Sequence, residues 1–419
     1  MYRLKGAGYE ALLVGGSVRD LLLGREPKDF DVVTDARPEQ IKQLFSHCRI
    51  VGRRFQLAHV HFGRDYIEVA TFRARHDGGE GGLTENGRIL RDNVYGNQEE
   101  DARRRDFTIN ALFYNIRDFS IVDYAGGLDD LNSGFLRLIG EPEVRYREDP
   151  VRMLRAVRFA AMLGFRIHPD SEDPLRRLGH LLADISEARL SDEVIKMFLS
   201  GYAVQTFELL RKYGLFGHLF PQTERVLAEE EQGFPHMLLV RALENTDKRI
   251  AEGKPVTPGF LFAALLWEPV RLLTDKYRAD GESPAYALQA AAHEVIGRQT
   301  ARVAMPKRFT IMMKEIWQLQ PRFQHRTGKR PVRLYLHPRF RAAYDFLLLR
   351  AEVGEVEPEL AQWWTEFQTN DEALRAGMIA EAAVAGDADV AGEASVEGEP
   401  QTETRKRRPR RRKRRRKPA

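Results

Sequence analysis

The 419-residue sequence predicts an α+β protein: a small head with a mixed sheet, an all-α neck and body, and a disordered C-terminal tail. Three observations carry that expectation. Residues 1–125 alternate strand-like and helix-like runs; beyond about residue 145 apolar residues recur at helical spacing with few strand-like segments; from 371 the composition no longer supports a core.

The elements follow in order. "ALLVGG" reads as a short buried strand, and "SVRDLLLG" as a helix closed by Gly24. "DFDVVTD" is a second strand, "RPEQIKQLFSH" a helix, and "FQLAHVHFG" and "DYIEVATFR" are apolar or alternating in the β manner. The Gly-rich "RHDGGEGGLTENGR", 75–88, reads as a mobile loop. "RDFTINALFYNI" fits either helix or strand, and "FSIVDYAGGLDDL" a further strand with a turn at Gly126-Gly127. Helical periodicity then runs through "DPVRMLRAVRFAAMLGF", "SDEVIKMFLS", "TFELLRKYGLF", "TIMMKEIWQL" and "FRAAYDFLLLRAE". The boundaries expected are 1–125 for the head, 126–200 for the neck, 201–370 for the body and 371–419 for the tail.

Charge is unevenly spread. Residues 405–417 hold 12 Lys or Arg in 13 positions; taking those 12 from the 66 in the chain leaves 54 against 61 Asp and Glu, a balance of −7. Residues 371–403 carry nine acids against Arg375 alone and are rich in Ala and Gly, so they read as a disordered linker. The polycation that follows, including Arg405, Lys406, Arg407, Arg408, Arg410, Arg411 and Arg412, binds polyanions by counterion release. RNA is the first partner it suits and an anionic membrane surface the second; a solvated, solubilising run is the plain alternative.

The single cysteine, Cys48, excludes an intramolecular disulfide and a Cys-based zinc cluster, and fits a reducing, cytoplasmic setting. The strongly apolar "FLFAALLW", 260–267, falls far short of the ~20 residues a membrane span needs. No signal peptide is read at the N-terminus.

Chemistry concentrates in "LLVGGSVRDLLLGREPKDFDVV", residues 12–33. Side chains two apart on a strand share a face with Cα atoms about 6.6 Å apart, so Asp29 and Asp31 are expected to point the same way. Two such carboxylates suit a pair of Mg²⁺ ions, which prefer oxygen ligands. The motif alone also describes a solvent-facing strand edge. Glu68 in "YIEVATF" and Asp106 in "ARRRDFTIN" are both candidates for a third acid. Upstream, Gly15 and Gly16 allow close backbone approach, Ser17 opens a helix, and Arg19 adds a cation, a combination that suits a phosphate. It matches neither a Walker loop nor a dinucleotide fingerprint.

Taken together, "LLVGGSVRDLLLGREPKDFDVVTDA", "IEVATFR", "RRRDFTINALFYN", "DYAGGLDDL" and "YREDPVRMLRAVRFAA" resemble, in order, the polymerase-β-like nucleotidyltransferase superfamily. Within it they are similar to the branch shared by CCA-adding tRNA nucleotidyltransferases and bacterial poly(A) polymerases. The resemblance implies that Asp29 and Asp31 bind catalytic metal and that Gly15, Gly16, Ser17 and Arg19 meet the triphosphate of an ATP substrate. It further implies that Arg103, Arg105, Asp106 and Asn110 engage phosphates and ribose. Asp149 and Arg152 match the pair that selects the incoming base, on a helix that also carries Arg155 and Arg158. Read structurally, Asp149-Pro150 is equally a helix N-cap and first-turn pair, with Met153, Leu154, Val157, Ala160 and Ala161 on the buried face.

Three further features separate the two enzymes. "VGRRFQLAHVHFG", "MPKRFTIMMKEIWQLQPRF" and "HPRFRAAYDFLLLRAE" resemble the poly(A) polymerases specifically. The basic tail suits a substrate without defined shape, and no His-Asp phosphohydrolase domain is present. Between Arg298 and Arg341, 12 Lys or Arg and one acid interleave with Phe309, Trp317, Phe323 and Tyr335, a pattern that suits single-stranded RNA. His59 and His61 share a strand face, but hard Mg²⁺ prefers oxygen. The expected activity is template-independent adenylyl transfer to RNA 3′ ends, serving RNA decay with proteins recruited by the tail. A CCA-adding enzyme and a non-catalytic RNA-binding module are the alternatives.

Overall fold

The computed structural model describes residues 1–52, 56–74, 94–230 and 237–393. The Gly-rich stretch and the polybasic run therefore lie outside the described residues.

The head contains α1 (Tyr2–Gly6), β1 (Ala11–Val14), α2 (Gly16–Leu22), β2 (Asp31–Thr34), α3 (Pro38–Leu44), β3 (Cys48–Val51), β4 (Leu57–Phe62), β5 (Asp65–Thr71), α4 (Gln98–Arg104), β6 (Leu112–Tyr114) and β7 (Ile121–Asp123). The seven strands form one sheet in the order β3-β4-β5-β2-β1-β6-β7. Only β2 and β5 pair in parallel, so the sheet is mixed, as expected. "RDFTINALFYNI" resolves into both of its expected forms, a 3₁₀ turn over Thr108–Asn110 followed by β6.

Alternation decides what each face buries. Val32, Ala58, Val60 and Val69 turn to one side and pack on Leu4 and Ile41 of α1 and α3. Val33 turns to the other with Leu12, Val14 and Phe113, covered by Ala102 of α4 and by Ile139. Asp31, two residues before Val33, shares this second face. Phe30 stands before β2 and is half exposed, so Val32 and Val33 alone anchor the strand in the core.

The neck comprises α5 (Gly127–Ser133), β8 (Phe135–Leu136), α6 (Pro142–Glu148), α7 (Val151–Leu163), β9 (Arg166–Ile167), α8 (Pro169–Leu178) and α9 (Glu187–Phe198). β8 and β9 make a short parallel pair that no periodicity announced. The five apolar residues assigned to the inner face of α7 are all buried. One continuous core runs from Val18 and Phe107 of the head through α7 into the body.

The body is helical from Ala203–Lys212 to Pro358–Thr369. "FLFAALLW" is the buried helix Pro258–Leu265 and the start of the next. Trp317 and Phe323, expected as stacking surfaces for RNA, are fully buried, and Tyr335 packs on Phe340 and Phe367; their helical spacing was the spacing of a core. A second departure is at the start of the tail, where Glu372–Glu393 forms a helix. Its one cation explains why: the Arg375 guanidinium donates to the Phe367 and Gln368 carbonyls and to the Tyr335 hydroxyl, 4.2 Å above the Tyr335 ring. Met378 and Ile379 follow onto the same cluster, and the Ala-rich remainder has high helix propensity. Among the described residues, no helix is long and apolar enough to cross a membrane.

Candidate active site

β1 ends where the sheet meets the neck, and Gly15 turns the chain with φ of +78° into α2. A β-carbon there would lie 3.4 Å from Nη1 of Arg105, and one on Gly16 would lie 3.6 Å from Nη2 of Arg19. Both are ordinary contact distances to flexible side chains, so it is the positive φ that calls for glycine at position 15, and the two guanidinium groups pack directly against the turn. Ser17 is turned inward, its Oγ donating to the Val14 carbonyl at 3.2 Å; it shapes the turn and does not line the cleft.

A cleft of about 1000 Å³ opens beside this turn. Gly15, Gly16, Arg19, Asp29, Asp31, Glu68, Arg105, Asp106, Asn110, Arg155 and Arg158 all line it. These residues were drawn from four separate stretches of sequence, and the fold brings them to one place. Asp31 is the first residue of β2 and stands directly across the parallel ladder from Glu68, with Asp29 just before the strand. Its carboxyl is held above the usual range, first by desolvation against the cleft walls, then by the charge of Glu68, with Asp29 adding to the effect and Arg105 opposing it. Two further carboxylates thus act on Asp31 at a single edge of the cleft.

Asp106 is disposed differently. Its Oδ2 accepts from Nε and Nη2 of Arg155 at 2.7 and 2.5 Å, and its Oδ1 accepts from the Phe107 amide and from Asn110 Nδ2. Burial alone would push this carboxyl up, but the Arg155 charge and the hydrogen bonds hold it below the usual range. Asn110 also accepts from Arg19 at 2.7 Å, and Arg19 is further tied to Asp20. Arg105 is braced by the buried Asp101 at 2.8–3.0 Å.

The inner wall is cationic. Arg19, Arg155 and Arg158 lie 5.3, 5.3 and 4.7 Å from the Phe159 ring centre. Arg158 Nε is buried with no hydrogen-bond partner among the described residues. Burial and the neighbouring Arg155 charge hold the Arg158 guanidinium below its ordinary range, against the opposing charges of Glu193 and Asp106, so a further anion at this wall would be stabilised.

Three expected residues stand apart. Arg103 projects from the outer side of α4, pairs with Glu99 at 2.7 Å and lines a separate cavity of about 620 Å³ with Arg137 and Glu141. Asp149 lies between α6 and α7, accepting from Arg189 of α9 at 2.6 Å and from the Val151 amide at 3.3 Å, while Pro150, expected as the first helical residue, takes the N-cap position of α7 instead. Arg152 donates to Glu148 and to the Arg145 carbonyl. Neither Asp149 nor Arg152 is among the lining residues of the cleft.

Lys28, Phe30, Arg64, Asp65, Tyr66, Ile67, Phe159 and Lys196 complete the lining, and sequence reasoning did not place them there. Lys28 was adjacent to Asp29 and Phe159 adjacent to Arg158, so proximity to a motif was the available signal. Lys196 sits one turn from Glu193 on α9 and offered none.

Three family models match: the Poly A polymerase head domain over residues 11–137, the "Probable RNA and SrmB- binding site of polymerase A" over 164–227, and the polymerase A arginine-rich C-terminus over 280–417. Poly(A) polymerase I of Escherichia coli O6:H1 is 51% identical over 390 residues, covering 91% of this chain and 84% of that protein. The CCA-adding enzyme of Lactobacillus helveticus is 39% identical over 206 residues, about half of each protein. Among solved structures, the CCA-adding enzyme of Bacillus stearothermophilus in complex with CTP matches at a TM-score of 0.60 and 27% identity, covering 88% of this chain and 80% of that one. Resemblance to the CCA enzymes is thus shared architecture and a shared first half, whereas resemblance to the adenylyltransferases runs through head, neck and body: the chain belongs to the bacterial poly(A) polymerase family of nucleotidyltransferases.

Proposed function

We propose that this cleft carries out template-independent adenylyl transfer, in which an RNA 3′-hydroxyl attacks the α-phosphate of ATP, pyrophosphate leaves, and one AMP is added. The observation that carries the chemistry is the in-register pair Asp31–Glu68, with Asp29, facing a wall of arginines across one cleft.

The acidic edge has an oxygen-only donor set with unbalanced negative charge, which fits hard divalent cations. Among the described residues no three His, Cys, Asp or Glu side chains form a complete metal cage. Mg²⁺ commonly takes one or two carboxylates and completes its shell from substrate phosphates and water, so the arrangement agrees with that mode. Two Mg²⁺ ions held by Asp29 and Asp31 would supply charge neutralisation at the transferring phosphoryl group. Glu68, opposite Asp31, is the third acid; Asp106 has both oxygens committed and acts through Arg155 and Asn110.

Arg19, Arg105, Arg155 and Arg158 bind the triphosphate above the diglycine turn, which keeps the floor low enough for it. Asp149 and Arg152 read the adenine edge, with Arg189 setting the Asp149 carboxylate. Residues 1–125 serve as the catalytic head, 126–200 as the neck carrying the base-reading helix, 201–370 as the RNA-binding body, and the basic tail as a further contact for RNA and for proteins of RNA decay. RNA and ATP meet in the cytoplasm, the compartment in which this reading sets the protein.

Incubation with an oligoribonucleotide and ATP tests this directly, with a tRNA lacking its 3′ end, CTP and ATP in parallel. A long tail from ATP alone is the expected product. Cytidine incorporation followed by a stop identifies a CCA enzyme instead, and no incorporation with retained RNA binding identifies a binding module.

A further inference from the structure

We propose that the open face of β3, β4 and β5 is the platform on which the single-stranded 3′ end of the RNA primer lies, with Tyr66 as its stacking surface. This rests on the adenylyl-transfer function proposed above and names where its second substrate sits.

The ladder registers lay four side chains in one row across the sheet: Asp31 opposite Glu68, Glu68 opposite His59, and His59 opposite Arg49. A second row follows one pleat along, with Tyr66 opposite His61. All these side chains occupy the face that carries the catalytic acids, because strand parity sends Ala58, Val60 and Val69 to the buried side. The Tyr66 ring is half exposed and lies parallel to His59, with centres 4.4 Å apart and planes at 14°. His61 flanks it at 5.7 Å. His59 Nε2 is 3.3 Å from Glu68 Oε1, so the stack is tied to the acidic edge. Tyr66 and Arg64 both line the catalytic cleft, as does Lys28 from the adjoining loop.

The chemistry along this surface is graded. Carboxylates lie at the cleft, aromatic rings in the middle, and the exposed Arg49 at the sheet edge. Three strand spacings separate β2 from β3, about 14 Å. A primer presents the same grading from its end: the attacking hydroxyl, a base with an open π-face, then upstream phosphates. Single strands are held by such a pairing of aromatic stacking and phosphate contacts. A half-exposed tyrosine next to catalytic acids is otherwise unused by the nucleotide site, whose cations come from α2, α4 and α7. The histidines that share a strand face are placed by this as supports of the stack, not metal ligands: one nitrogen of His59 faces Glu68 and its ring faces Tyr66.

Steady-state kinetics on the full chain with a short oligo(A) primer and ATP is the test. Tyr66→Ala is expected to raise KM for the primer about tenfold, within the range for loss of one base–aromatic stack, while KM for ATP stays put. Tyr66→Phe keeps the ring and should return the wild-type primer KM, and Arg49→Glu should raise it at low salt. His61→Ala, at a residue with no ion pair to an acid among the described residues, guards against an indirect effect through Glu68 and should raise the primer KM as well. Unchanged primer KM in both Tyr66→Ala and His61→Ala overturns the platform while leaving adenylyl transfer standing. A fall in kcat alone in Tyr66→Ala overturns it too, since that is a disturbed acid, not lost stacking. Wild-type protein that adds no AMP to any RNA defeats the broader function and the platform with it.

Discussion

Asp106 gives both of its oxygens to partners, whereas among the described residues the Asp31 carboxylate has no hydrogen-bond or ion-pair partner. That contrast separates a carboxylate that positions from one that reacts. Asp31→Asn or Asp29→Ala is expected to lower the rate of AMP addition by at least a thousandfold, because the charge that holds the cations is gone; gel analysis of primer extension reads this, and circular dichroism should show an unchanged fold. Asp106→Asn acts elsewhere. It strands the Arg155 guanidinium, and because that side chain is one-third exposed the cost is about 2–3 kcal/mol, below the 3–5 of a fully buried pair. The sign of its pH dependence follows from the lowered carboxyl of Asp106. A group with a depressed folded pKa contributes stability fully above the ordinary carboxylate value and loses it as pH falls through the folded one. Urea titrations should therefore show the gap between wild type and variant full at pH 7 and closing below about pH 4.

Helix α5 shows how an element with no ligand contact can govern the site. Gly127 packs against the 3₁₀ turn that carries Asn110, and a β-carbon there would stand 2.3 Å from the Thr108 carbonyl oxygen. Asp123 fixes this junction by accepting from the Ala125 and Leu128 amides, and Asp130 accepts from Thr108 Oγ1 at 2.7 Å. Gly127→Ala must push α5 off the turn at a cost of about 1–3 kcal/mol. Asn110 moves with it, so Arg19 loses its partner and KM for ATP should rise, a shift that Gly126→Ala, with open space around it, would not produce by contact. The sequence showed a diglycine turn here but not which glycine meets a wall. Likewise α7 was legible because thirteen residues carry a strong period, whereas β8 and β9 are two residues each and exist through pairing alone. Arg103 shows the limit within a motif: three successive arginines look alike in sequence, and only the helix rotation sends Arg105 to the cleft and Arg103 to Glu99.

Across the whole molecule, residues 1–370 are close to neutral, with 53 Lys and Arg against 52 Asp and Glu, and the cationic run at the end makes RNA binding a division of labour. Composition located the polycation correctly but mistook where order stops, because one arginine, Arg375, carries the helix of the body into an acidic stretch. A chain ending at residue 393 keeps that anchor and the cleft, so it should fold and add AMP at saturating RNA. What it loses is 12 cations, and with them counterion release. Each phosphate contact with a single strand contributes about 0.7 to the slope of log affinity against log salt. If half of the run engages RNA, the slope should flatten by about 4, and primer affinity should fall most at low salt and converge with wild type as salt rises. Fluorescence anisotropy of a labelled oligo(A) from 50 to 400 mM salt reads this. Parallel lines would assign the phosphate contacts to the folded body instead, where Arg298 and Arg339 are already paired with Glu294 and Glu315.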